Sequence, residues 1–223
     1  MLSSSRSTDA RTHWLTATEL TTRRCGDTGV LVELDDNSRV LALAAAVRAA
    51  GVEGLKDLVP ALNTLLLVFD PERTEAADIE ARLRDIEVPP IDPAQARTVE
   101  IPVIYDGEDL GWVATHCGLD EREVVRAHTG TPWRVAFCGF APGFAYLVGG
   151  DPRLRVPRRG ESRVVVPAGA VALAGQFSAV YPRRSPGGWQ LLGHTTESMW
   201  DTSADPPALL LPGYEVRFRQ SAA

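Results

Sequence analysis

Hydrophobic and polar positions change texture along this chain, and the change divides it into two regions. Val30-Leu-Val-Glu-Leu34 is a short apolar run behind the turn residues Gly26-Asp-Thr-Gly29, which predicts a strand. Asp35-Asp-Asn-Ser38 offers N-cap side chains for a helix from about Arg39 to Ala50, and Gly51 supplies its stop. Thr64 to Phe69 is a continuous apolar run of strand length, ended by Asp70-Pro71. Ala76, Ile79 and Leu83 then recur at helical spacing inside a helix predicted over Glu75 to Ile86. Strand, helix, strand and helix within about 80 residues predict a small α+β domain.

The second region opens with Thr98 to Ile104, whose alternation predicts a strand, followed by short helices over Leu110 to Cys117 and Asp120 to His128, parted by Gly118. From there only short β runs occur: Trp133 to Cys138, Arg163 to Val166, Ala170 to Ala174, Trp189 to Leu192 and Tyr214 to Phe218. Short strands separated by turn signals predict a compact, closed β-barrel. Glycine usage agrees with the division, since four of the nineteen glycines precede Gly107 and eleven fall from Gly130 to Gly193. Glu87-Val-Pro-Pro-Ile-Asp-Pro93 reads as a stiff connector. The predicted layout is a disordered polar tail over residues 1–12, an α/β domain over 13–88, a linker over 89–97 and the barrel over 98–223.

Composition narrows the function classes. A net charge of −6 argues against nucleic acid as the main partner, because phosphate neutralisation needs a basic face. Cys25, Cys117 and Cys138 are odd in number and show no CxxC spacing, so neither a disulfide framework nor a structural zinc site is expected. His13, His116, His128 and His194 are scattered without metal-ligand spacing, and no metal is expected on this chain. The longest apolar stretch, Val40 to Val47, is far short of the roughly 20 residues of a membrane span. The expected location is the cytoplasm.

Candidate chemistry concentrates in the second region. Gly139-Phe-Ala-Pro-Gly-Phe-Ala-Tyr146 sets aromatics among glycines and a proline, which suits either a ligand pocket with exposed backbone amides or a barrel corner. Ser185-Pro-Gly-Gly-Trp189 reads as a rigid turn or binding loop, and no GxSxG elbow accompanies it. Arg153, Arg155, Arg158, Arg159 and Arg163 lie close together in a chain with 22 arginines and one lysine. Arg158, in Val156-Pro-Arg158, is the best candidate among them for binding an anion. Glu100, Asp106, Glu108 and Asp109 suit an acid/base pair or helix-dipole partners. His128 suits a C-terminal imidazolium or a catalytic base. Walker A and GxGxxG loops are absent, so the sequence contains no self-contained nucleotide site.

Several of these peptides, in this order, resemble the family of the B-type component of prokaryotic 5-oxoprolinase, which includes KipI-like proteins and proteins described as allophanate hydrolase subunit 1. The resemblance runs from about Thr21 to Phe218. It rests on Gly26-Asp-Thr-Gly29, Leu67-Val-Phe-Asp-Pro71, Ile101-Pro-Val-Ile-Tyr105, His128-Thr129, Gly139 to Leu147, Pro157-Arg158, Val166-Pro-Ala-Gly169, Tyr181-Pro182, Ser185 to Gly193 and Leu211-Pro-Gly213. Two departures stand out. Gly193-His-Thr-Thr196 carries an imidazole where the family has a guanidinium, and Ser178-Ala precedes Val-Tyr-Pro182 where the family has Thr-Gly.

The resemblance implies an α+β N-terminal domain followed by a cyclophilin-like closed β-barrel. It implies one component of a complex that opens 5-oxoproline to glutamate at the expense of ATP, with magnesium handled by the complex. The partners are a homologous barrel protein, the C-type component, and a third, A-type component; the substrate is a small anionic or amide molecule. On that chemistry His128, Arg158 and Tyr181 are the expected catalytic groups. Gly139, Gly143, Gly187 and Gly188 are expected to supply backbone donors, with Trp189 walling the ring. Phe140, Pro142, Phe144, Pro167, Gly169, Gln176, Ser185 and His194 complete the expected binding set. The alternatives are a KipI-like regulator that grips a histidine kinase, a component of a urea or allophanate amidolyase, and, by barrel analogy alone, a prolyl isomerase.

Overall fold

A computed structural model of the chain describes residues 20–89 and 96–222, and within them the chain forms two compact units. The tail predicted over residues 1–12 and most of the linker predicted over 89–97 lie outside the described residues.

The first unit contains β1 (Thr21–Arg24), β2 (Gly29–Glu33), α1 (Asn37–Ala50), β3 (Leu55–Pro60), β4 (Thr64–Phe69) and α2 (Ala76–Asp85). Its sheet has the order β1-β2-β4-β3. Val30, Val32, Leu65 and Leu67 on the two central strands pack with Val40, Leu43 and Val47 of α1 and with Ile79 and Leu83 of α2. Burying one such side chain stabilises the fold by about 1.5–3 kcal/mol, so this seam holds the unit together. Helix α1 starts two residues before the sequence suggests, because Asp36 is the N-cap and accepts from the Arg39 N–H at 3.0 Å. Strands β1 and β3 escape a reading based on hydrophobic pattern. They are the edges of the sheet, and their sequences, Thr-Thr-Arg-Arg and Leu-Lys-Asp-Leu-Val-Pro, are polar enough to leave an edge in water.

The second unit contains β5 (Thr98–Val103), α3 (Leu110–Cys117), α4 (Glu121–Gly130), β6 (Trp133–Cys138), β7 (Ala145–Gly149), β8 (Arg163–Val166), β9 (Ala170–Ala174), β10 (Phe177–Val180), β11 (Ser185–Gly187), β12 (Gln190–His194) and β13 (Glu215–Gln220). Seven strands form one sheet in the order β12-β9-β10-β7-β6-β13-β5. The β13–β5 pair is parallel and the others are antiparallel. The sheet's outer strands meet where Ile104 and His194 exchange two backbone hydrogen bonds of 2.9 Å, and the barrel closes there. Helix α4 is entered through a capping box between Asp120 and Glu123. Among the described residues no helix is long and apolar enough to cross a membrane.

Strand β9 is buried along its whole length, on both faces. Val171 and Leu173 point into the barrel core with Ile101, Val135 and Leu147, while Ala170, Ala172 and Ala174 point outward into a second apolar cluster with Phe144, Tyr181 and Trp189. The period of two puts large side chains inside and methyl groups outside. A two-stranded ribbon of β8 and β11 forms a separate small sheet.

His128 is not a charged helix terminus. Helix α4 runs two residues past it, and the ring is fully buried in the barrel, stacked on Phe218 with centroids 4.3 Å apart. Its Nδ1 lies 2.7 Å from the Tyr105 hydroxyl and its Nε2 lies 2.9 Å from Ser178 Oγ. A neutral imidazole satisfies both partners, one nitrogen donating and the other accepting. Burial pushes its pKa down to about 3.

Two outcomes are expected. A Cβ at Gly193 would collide with the Ile104 carbonyl oxygen and stand 2.8 Å from Tyr105 Cα, both backbone atoms. Gly193→Ala therefore pries the closure apart and costs about 2 kcal/mol or more, read as a lower denaturation midpoint of the chain. The second concerns acid. Burial lowers the His128 imidazole from 6.5 in the unfolded chain to about 3 in the folded one, so the unfolded chain binds the extra proton between those values. Stability is full above pH 6.5 and falls as the pH drops through that window, by about 1.4 kcal/mol per unit. Urea unfolding across the window measures the slope, and His128→Gln should flatten it.

Candidate functional site

The outward-facing cluster leaves a cleft of about 370 Å³, within the range of small-molecule sites. Its depth depends on the alanine face of β9, since Ala174 lines the floor where a larger side chain would fill it. Phe140 and Phe144 come from the β6–β7 loop, Tyr146 from β7, Arg158 from the β7–β8 segment, and Tyr181 and Trp189 from either side of β11.

The rings support one another edge to face. Phe144 meets Tyr181 at 5.3 Å and 84° and Trp189 at 5.6 Å and 90°, and Phe140 packs on Phe144 at 5.2 Å. Such pairs add about 0.5–1.5 kcal/mol each beyond the area they bury, so the walls are stiff. Phe140 is held at φ 67°, a left-handed conformation costly for an aromatic residue, and is 61% exposed at the rim. Gly187 permits the closest approach in the site, because any Cβ there would overlap the Tyr181 hydroxyl. Burial pushes the Tyr181 phenol upward, opposed by a hydrogen bond from the Trp189 backbone and by the Arg158 guanidinium. Tyr146 is pushed up by the same cause and opposed by the same arginine.

The arginine cluster sorts by partner. Arg153 pairs with Asp151, Arg155 donates to Gln176, and Arg159 and Arg163 both reach Asp109. Arg158 makes no ion pair among the described residues, and its side chain is exposed at the mouth of the cleft. A lone guanidinium above an aromatic floor can take a carboxylate in bidentate fashion, with the apolar remainder of the ligand below it.

Of the residues expected at a site, Phe140, Phe144, Arg158, Tyr181, Gly187 and Trp189 converge on this cleft. Others do different work. The Gly139 N–H is spent on the Phe144 carbonyl at 3.1 Å, so it is no free donor. Gly143 backs onto Met199 and Gly169 onto Thr195, Gly188 faces Ser162, and Pro142 and Pro167 are exposed and away from the lining. Gln176 is held by Arg155 outside the cleft. Ser185 is half-buried, and its hydroxyl oxygen is enclosed without a partner. His194 pairs with Asp106 at 2.9 Å beside the barrel closure, and His128 lies in the core, so neither imidazole reaches the cleft.

Two residues behind the cleft, outside its lining, matter to it: Gln190, which the sequence did not mark, and Asp109, marked only as an acid/base or helix-dipole candidate. Asp109 precedes α3 but makes no side-chain cap bond; its buried carboxylate binds two arginines and the Leu191 N–H instead. The acidic cluster around it was visible, but the arginines it meets lie 50 and 54 positions away.

No group of three or more His, Cys, Asp or Glu among the described residues could hold a metal ion. The N-termini of α1 and α4 are already capped by their own carboxylates, Asp36 and Asp120, so neither is an open cradle for phosphate.

Comparison with known proteins agrees with this architecture. The chain is 39% identical over 204 residues to the B-type component of 5-oxoprolinase from Escherichia coli O157:H7, covering 86% of this chain and 92% of that protein. It superposes on the crystal structure of TTHA0988 with a TM-score of 0.78 and 39% identity, covering 91% of this chain and 41% of that longer one. The Kluyveromyces lactis urea amidolyase shares the fold at a TM-score of 0.71 and 21% identity, over 91% of this chain and 15% of that one. A family model described as carboxyltransferase domain, subdomain C and D, matches residues 20–210, and the chain belongs to that family.

Proposed function

We propose that this chain is a barrel component of an ATP-dependent amidohydrolase complex of the 5-oxoprolinase kind, and that its aromatic cleft receives the substrate. The observation that carries the reading is the unpaired Arg158 guanidinium over a floor of Phe144, Tyr181 and Trp189. A five-membered lactam bearing one carboxylate matches that pairing of a cation with flat apolar walls. The near-complete overlap with a relative named as a 5-oxoprolinase component supports the same substrate class.

A lactam resists hydrolysis because its amide is resonance-stabilised. Transfer of the ATP γ-phosphoryl group to the lactam oxygen releases ADP and gives the ring carbon a phosphate leaving group. Water then adds to that carbon and the ring C–N bond breaks to leave γ-glutamyl phosphate, from which a second water releases glutamate and phosphate. In this scheme Arg158 anchors the carboxylate, Tyr181 and Trp189 hold the ring, and the Tyr181 hydroxyl, kept protonated by burial, is a donor at the floor. The sequence carries no Walker A or GxGxxG loop, and in this reading ATP and magnesium are handled by the complex rather than by this chain alone. This chain matches 41% of the longer TTHA0988 polypeptide, which fits a site completed by further chain outside this barrel.

The purified chain alone should form no glutamate from 5-oxoproline and ATP, and should do so once the homologous barrel protein and the third component of the complex are added. Full turnover by the isolated chain would overturn the shared site. In the reconstituted complex Arg158→Ala should raise KM for 5-oxoproline by about 10- to 100-fold, the value of a charge-assisted contact, with Arg158→Lys intermediate. An unchanged KM removes the arginine from the site.

A further inference from the structure

Arg158 is exposed and lies outside every strand and helix, yet the peptide on each side of it is fixed. The Val156 carbonyl accepts from the Gly175 N–H at 2.7 Å. The Pro157 carbonyl accepts from Gln190 Nε2 at 3.0 Å, and the Arg159 N–H donates to the Gly188 carbonyl at 2.8 Å. The Arg159 guanidinium then reaches Asp109 Oδ1 at 2.8 Å. Asp109 and Gln190, the two side chains that make these anchors, are 4% and 3% exposed.

Asp109 does more than hold Arg159. Arg163 Nη2 binds both of its oxygens, at 2.9 and 2.8 Å, and the Leu191 N–H reaches Oδ2 at 2.7 Å. One buried carboxylate thus ties the β7–β8 segment, the first residue of β8 and strand β12 to the start of α3. Burying a carboxylate is costly unless its lone pairs are filled, and here every contact that fills them comes from a segment flanking Arg158 or the Trp189 wall. Neither Asp109 nor Gln190 lines the aromatic cleft. Both line a second, polar hollow of about 270 Å³ on the other side of Arg158.

We propose that Asp109 and Gln190 are positioning residues for Arg158, holding its backbone at the rim shared by the two hollows so that the guanidinium stays within reach of the aromatic cleft. The proposal rests on the reading of that cleft as an anion site. Backbone placement matters for an arginine because its own flexible side chain must otherwise be ordered by the ligand at the ligand's cost.

The test uses the assembled complex with 5-oxoproline, comparing Asp109→Asn, Gln190→Leu and Arg158→Ala singly and in pairs. Asp109→Asn and Gln190→Leu should each raise KM at least about fivefold while kcat stays within about twofold. Neither should raise KM further once Arg158→Ala is present, because the effect passes through Arg158. An unchanged KM with only a lower melting temperature, or an equal rise in the Arg158→Ala background, overturns the proposal. If Asp109→Asn does not assemble, Gln190→Leu decides alone, since it removes only the contact to Pro157. A readout free of substrate accompanies the kinetics: hydrogen exchange at the Arg159 amide of the full chain should quicken in both variants. Were the complex inactive on 5-oxoproline, or Arg158→Ala without effect on KM, the functional reading would fall, while unaltered exchange at Arg159 would overturn the clamp itself.

Discussion

Two reciprocal hydrogen bonds between the backbones of Ile104 and His194 turn an open seven-stranded sheet into a barrel, and the site exists because of that closure. The chain approaches itself so closely there that position 193 tolerates no side chain. That contact joins the two ends of the sheet, and β9 and β12 lie over a packed interior. The outer face of the same strands is then free to carry a second apolar layer, and the cleft lies within that layer. One strand, β9, serves both: Val171 and Leu173 fill the barrel, while the alanines between them keep the outer face shallow.

Charge in the second unit is arranged by difference. Four arginines near the cleft are given partners, and one carboxylate, Asp109, takes two of them with a backbone amide besides. Arg158 is left over at the mouth. A guanidinium already held by a partner has less left for a ligand, so among the arginines from 153 to 163 the pairing of its neighbours leaves Arg158 for recognition. The buried His128 follows the opposite logic. Placed between Tyr105 and Ser178 and far from water, it is kept neutral and contributes to packing and hydrogen bonding of the core.

Much of the fold was legible because it rests on local rules. Helix α3 starts and stops at the predicted residues, and α1, α2 and α4 differ by no more than two residues at either end, since caps and 3.6-residue periodicity are written in neighbouring positions. The strands that hid did so for physical reasons. Strands β1 and β3 are polar edges, β10 and β11 span four and three residues, and β7 follows so directly on the glycine-aromatic loop that the two read as one. The three residues of β11 have too few alternations to announce a period.

The candidate site was half legible. Aromatic residues among glycines marked Phe140, Phe144, Tyr181 and Trp189, and the turn at Val156-Pro-Arg158 marked the arginine, because those residue types suit a pocket wall wherever it forms. The sequence by itself thus determined the two-part organisation, the helices, the barrel class and the chemical character of the cleft, all consequences of side-chain size, period and backbone freedom read within a few residues. Tertiary structure alone decided which arginine stays unpaired, that Asp109 is an anchor rather than an acid or a cap, and that His128 is core. Those outcomes depend on contacts between residues some 50 positions apart, and on the loss of water around them, which no local pattern records.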